Sequence, residues 1–201
     1  MKKSLSLLMI LSLVLFVSCS KDDDNKAGEF DGSQDSVAEF LGADLLETLL
    51  DLGLIINTGN TPPNIAGEFL MAPVILQKSN VQGDYPGMSF PDYQMKFMNQ
   101  IGLNVDFSGF HTTGVQRDIG DGSFISGSGK GFTVFLITET DISGYKADTA
   151  MVISGTMTED GIKDVQFALF MKDNHGNPGG VFIDNQKGRI IIDGDGLCEK
   201  I

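Results

Sequence analysis

Two strand-like stretches, 131–140 (GFTVFLITET) and 162–172 (IKDVQFALFMK), constrain this chain more than any other feature. Side chains alternate across a strand, so Phe132, Val134 and Leu136 share one face while Phe135 and Ile137 share the other. The second stretch repeats the doubling, with Val165, Phe167, Leu169 and Met171 opposed to Ala168 and Phe170. A strand that is apolar on both faces needs cover on both, and an open sheet with one face in water does not supply it. One face has to line an interior. The other has to lie under a further element.

That element is legible upstream. Ser36 and Glu39 have the spacing of a capping box, in which hydroxyl and carboxylate each satisfy a free N–H at a helix start. Apolar residues follow at Val37, Phe40, Leu41, Leu45, Leu49 and Leu52, with Leu46 and Leu50 widening the stripe. This is helical period, and it predicts one amphipathic helix over 37–52 stopped by Gly53. The polar face carries Asp44, Glu47 and Asp51 rather than the basic residues of a membrane-lying helix. The stripe is therefore expected to pack on the outer face of the doubled strands.

After Thr61-Pro62-Pro63 the texture becomes strand-like, with runs at 68–77, 92–99, 103–110, 112–117, 123–126, 131–140, 147–158, 162–172 and 189–193. Turn pairs separate them, among them Asp121-Gly122, Ser128-Gly129, Ser143-Gly144 and Asp160-Gly161. The last lies between two alternating runs and reads as a tight hairpin. Short strands at this spacing predict a mainly β fold: an antiparallel up-and-down meander β-barrel with the helix packed on it. Residues 36–201 then form one domain.

The N-terminus carries a different message. Met1-Lys2-Lys3 leads into an uncharged run, 4–18, with the layout of a secretory signal peptide. The run is shorter than the roughly 20 residues that span a bilayer. Phe16-Val17-Ser18-Cys19 resembles the lipobox of bacterial lipoproteins, with Phe16 where Leu is commonest. The resemblance implies that 1–18 is removed and that Cys19 is acylated as the mature N-terminus. Ser20, Lys21, Asp22, Asp23 and Asp24 resemble the export signal of surface lipoproteins in one Gram-negative phylum, which implies an outer-membrane, surface-exposed protein. Residues 19–35 are acidic and poor in apolar area, and read as a disordered tether.

Charge excludes several partners. Loss of 1–18 removes two lysines from a chain of formal charge −13, leaving −15. A nucleic-acid surface needs a basic stripe, and an anionic membrane would repel this chain. The lipid is then the sole membrane contact.

No catalytic or metal constellation is legible, and no cofactor is expected. With Cys19 assigned to lipid, Cys198 has no partner, and only His111 and His175 are present. No C-x-x-C, H-x-x-x-H or H-E-x-x-H spacing occurs. Asp193-Gly-Asp195-Gly falls short of a calcium loop and reads as a turn. Asp118-Ile-Gly-Asp121-Gly reads as a hairpin end, and 174–180 as a glycine-rich rim loop.

Gly67-Glu68-Phe69, at the threshold of the first long strand, is similar to the G-x-W that opens the first strand of lipocalins, with Phe69 where that family has Trp. There an Arg on the last strand lies over the ring and closes the barrel end. The resemblance implies that role for Arg189, which opens the run 189–193 read here as the last strand. The stretches TPPNIAGEF and GRIIIDGDGLCEKI also resemble an uncharacterised family of small bacterial lipoproteins, which brings no activity. An eight-stranded barrel is either filled by side chains or holds one small ligand. The inward candidates, including Met95, Met98, Met151, Met157 and Met171, suit either case. The expected function is a non-enzymatic binding or accessory lipoprotein, holding a small apolar molecule in the barrel. The alternative is a structural or assembly protein with a filled barrel and a protein partner.

Overall fold

The computed structural model describes residues 29–114 and 116–201. Two short helices replace the single one expected: α1 (Gln34–Leu41) and α2 (Ala43–Asp51). The break is at Gly42, whose φ of 90° is open to glycine without steric cost. The helix start also differs. Ser33, not Ser36, is the N-cap, and its side chain accepts from the Ser36 N–H at 3.2 Å. At the other end Leu54 N–H donates to Leu49 O (3.0 Å) and Gly53 N–H to Leu50 O (2.8 Å). This is the Schellman pattern that satisfies final-turn carbonyls.

Among the described residues twelve strands follow: β1 (Asn60–Thr61), β2 (Gly67–Met71), β3 (Val74–Ser79), β4 (Ser89–Phe90), β5 (Tyr93–Ile101), β6 (Asn104–His111), β7 (Gln116–Ser128), β8 (Gly131–Ile142), β9 (Tyr145–Met157), β10 (Gly161–Asp173), β11 (Gly188–Asp193) and β12 (Leu197–Lys200). From β5 to β11 each strand pairs antiparallel with the next. β12 pairs with both β10 and β2, and β2 pairs with β5. The sheet thus returns on itself through eight strands, β2, β5 to β10 and β12.

β10 makes the closure work by serving two neighbours. Gly161–Lys163 pair with β12, whereas Gln166–Phe170 pair with β11. The switch falls at a bulge between Lys163 and Gln166, where Asp164 has φ 51°. Such an extra residue bends a strand and re-aims its edge. β11, β3 and β4 then extend the sheet as a side branch.

Three sequence expectations need correction here. The run 68–77 is two strands, because Pro73 has no N–H for the ladder. The runs 112–117 and 123–126 are not separate: 112–114 is turn, and one strand, β7, passes through Asp121-Gly122 with a one-residue bulge against both neighbours. Arg189 does not open the last strand, since the chain turns at Gly194–Gly196 and adds β12. The packed chain also reaches into the range read as tether. Phe30 is buried and stacks on Phe124 at 4.8 Å, and Gly59 N–H donates to Gly32 O (2.8 Å).

The two faces of the doubled strands separate as their alternation requires. Phe132, Val134, Leu136, Val165 and Phe167 join the ring's interior core, with Phe69, Met71, Met95, Phe97, Phe107, Met151 and Cys198. Phe135, Ala168 and Phe170 belong to a second core with Val37, Leu41, Leu45, Leu46, Leu49 and Leu52 from the helices. Leu50 stays exposed. Burial at about 25 cal/mol per Å² drives both contacts. Met98 stands on the face opposite Phe97 and so lies outside the interior.

Polar side chains fasten the segment after α2 to the sheet. Gln166 accepts from Ile55 N–H (2.8 Å) and donates to Gly53 O (3.0 Å). Asn57 N–H donates to Thr133 Oγ1 (2.8 Å), and the Asn57 amide donates to Phe132 O (2.9 Å).

Candidate functional site

The interior of the ring is apolar through most of its depth and turns polar at one end. Along β8 the inward series runs Phe132, Val134, Leu136, then Thr138 and Thr140. Opposite Thr140, in register on β7, is Asp118. Asp118 is fully buried, and three neutral groups donate to it: Tyr93 Oη at 2.6 Å and Gln116 Nε2 at 3.0 Å to Oδ2, and Thr140 Oγ1 at 2.9 Å to Oδ1. Thr149 continues the network, 2.9 Å from Thr140 and 2.7 Å from Thr138. Among the described residues no cation forms an ion pair with Asp118. Burial, and then the adjacent Asp118 charge, push the Tyr93 hydroxyl well above its ordinary value, so it remains a donor.

Gly109 makes room for this arrangement. A Cβ at that position would stand 2.3 Å from Tyr93 Oη, so only glycine lets the tyrosine lie across β6. The Tyr93 ring packs on Phe167 at 5.1 Å and edge-to-face with His111 at 5.2 Å.

Above Tyr93 a small pocket opens, with a volume of about 90 Å³. Its walls are Phe90, Tyr93, His111, Gln116, Phe167, Leu169, Arg189 and Ile191. Arg189 is already committed. Its Nε and Nη2 donate to Asp84 Oδ2 and Oδ1 at 2.7 and 3.0 Å, and its guanidinium lies 5.3 Å above the Phe90 ring. The guanidinium hydrogen bond holds the Asp84 carboxyl below the usual carboxylate range.

The residues singled out from sequence are distributed as follows. Cys19 and Ser20, Lys21, Asp22, Asp23 and Asp24 lie outside the described residues. Gly67 opens β2, and Phe69 is buried against Phe97 at 6.0 Å. The ring beneath Arg189 is Phe90, not Phe69, because Arg189 sits on the side branch rather than at the closure. Asp118 is no hairpin end but the buried centre of the polar cluster. The signal that finds it is the inward series on β8, continued past its apolar part into Thr138 and Thr140.

A second carboxylate is nearly buried where β11 turns into β12. Asp193 accepts from Ala72 N–H (2.9 Å) and Asp195 N–H (3.1 Å). Burial raises its pKa to about 6, with the neighbouring Asp195 adding to the rise. Cys198 is fully buried nearby, and burial followed by the Asp193 and Asp195 charges pushes its thiol up. Among the described residues no three His, Cys, Asp or Glu side chains are grouped to hold a metal. No described helix is long and apolar enough to cross a membrane. No protein-family model, curated protein or solved structure matches the chain.

Proposed function

We propose that this protein is a lipid-anchored, non-enzymatic accessory protein of the bacterial outer surface, working as a structural or assembly partner through its exterior. In this reading Cys19 carries the lipid, Ser20 to Asp24 direct export, and the chain before Phe30 gives the body reach. The ring is a lipocalin-like barrel adapted to rigidity rather than to a ligand in its interior. The observation that carries the choice between partner and ligand is the packed interior. Phe69, Phe97, Phe107 and Phe132 lie ring against ring at 5.5–6.4 Å, and Met71, Met95 and Met151 occupy the space between strands. The pocket at the polar end, about 90 Å³, is far below the roughly 300 Å³ at which drug-sized sites begin.

The anchoring is tested with the full chain in a Gram-negative host, by radiolabelled palmitate incorporation and by protease treatment of intact cells. Label on the wild type, none on Cys19→Ala, and proteolysis from outside are expected. Label that persists without Cys19, or a chain free in the periplasm, contradicts the proposal.

A further inference from the structure

We propose that the pocket at the polar end of the ring binds the head of a small organic ammonium ion, a class of ligand set by the buried Asp118 behind it. Asp118 is the one carboxylate of the cluster, no cation pairs with it among the described residues, and its donors Tyr93, Gln116 and Thr140 are all neutral. An anion withdrawn from water with neutral donors alone stays costly until a positive charge approaches. Arg189 does not supply that charge, because Asp84 engages it through two hydrogen bonds. With His111, also in the wall, counted as neutral, the formal charges of Asp118, Asp84 and Arg189 therefore leave the site one negative charge in excess.

The walls suit a cation. Tyr93 and Gln116 line the pocket, and the Tyr93 hydroxyl and one Gln116 N–H go to the same Asp118 oxygen. Toward the pocket they offer acceptor capacity, the lone pairs on Tyr93 Oη and on the Gln116 carbonyl oxygen, Oε1, beside the second Gln116 N–H. Donation to the carboxylate, by the Tyr93 hydroxyl itself and by Gln116 through Nε2, makes both oxygens more negative. Phe90, Tyr93 and Phe167 add aromatic surface, whose faces attract an ammonium group. An anionic occupant would meet these acceptors with a buried carboxylate behind them, and the one guanidinium in the wall is already paired with Asp84. A neutral apolar one would leave the excess charge unmatched. The volume of about 90 Å³ admits a group of a few heavy atoms, such as a short alkylammonium or the end of a lysine side chain. The net negative chain favours the approach of either. The inference is independent of the lipid anchor and of the partner reading.

Saturation-transfer NMR on the full chain in a non-ionic detergent tests it, with ethylammonium, ethanol and acetate titrated in parallel. Ethylammonium is expected to saturate with a Kd on the order of millimolar, a value set by its few heavy atoms. Ethanol and acetate are expected not to saturate. Asp118→Asn should weaken the ammonium by at least about tenfold, the scale of losing a buried charge partner. Leu169→Trp, which fills the pocket and leaves the carboxylate in place, should abolish binding. If Asp118→Asn does not fold, Phe90→Leu removes an aromatic face from the wall without touching the donors to Asp118, and should weaken the ammonium in the same direction. Saturation by ethylammonium alone assigns the site to a free amine, and equal saturation by Nα-acetyl-lysine amide assigns it to a polypeptide lysine. Equal binding of ethanol, undiminished binding by the folded variants, or no saturation by ethylammonium overturns the proposal.

Discussion

Tyr93 donates its hydroxyl to Asp118 across 2.6 Å, and both side chains are buried. The pair ties β5 to β7 across the ring's interior, since the intervening strand β6 carries Gly109 beneath the tyrosine. Removing that hydroxyl leaves a buried carboxylate short of a donor, which costs about 1–3 kcal/mol. Tyr93→Phe is expected to lower the urea midpoint by an equivalent amount. Gly109→Ala should destabilise through the same contact, because its new methyl meets Tyr93 Oη.

The helices are held by the second core rather than by their own propensity, since helices of eight and nine residues are marginal alone. Leu49 is fully buried there. Leu49→Ala should cost about 2–5 kcal/mol, and Leu49→Asp more. Leu50→Ala, one residue further and exposed, should be nearly neutral by thermal melting.

Asp193 predicts a pH dependence with a defined sign. Its folded-state pKa is about 6, above the ordinary 3.8, so between these values the folded protein holds a proton that the unfolded chain has lost. The stabilisation is complete below about 3.8 and is lost as pH rises through about 6. Asp84 and Glu68, with lowered pKa values, act in the opposite sense and below their ordinary values of 3.8 and 4.5. Chemical denaturation between roughly pH 5 and 7 should therefore show stability falling in the wild type and a flatter profile in Asp193→Asn.

Cys198 is expected to be inert in the native protein. It is inaccessible, and its raised pKa keeps the thiolate scarce. A disulfide-exchange reagent applied to Cys19→Ala should label it only on unfolding, at a rate that follows denaturant concentration.

Much of the architecture was legible because it rests on alternation. Phe132 against Phe135, and Phe167 against Phe170, belong to opposite cores for a reason written in their spacing. The points that escaped are those where one residue changes the path of the chain. Gly42 lies inside a good helical stripe, and only its backbone angle shows that the helix breaks there. The Asp121-Gly122 pair has turn chemistry, yet β7 absorbs it as a bulge because both neighbouring strands continue past it. β12 is four residues long, too short for alternation to mark, and its place depends on β10 switching partners at Asp164. Asp118 reads as part of that apparent turn, although Thr140, its partner on the adjacent strand β8, continues the inward series.

Native mass spectrometry of the purified full chain tests the central claim, a closed ring filled by its own side chains, most directly. Spectra of the protein released from detergent should show the polypeptide with no stoichiometric non-covalent apolar molecule, and added fatty acid should not be retained. A co-purified apolar ligand, retained at one per chain and lost when the protein is unfolded, would contradict it.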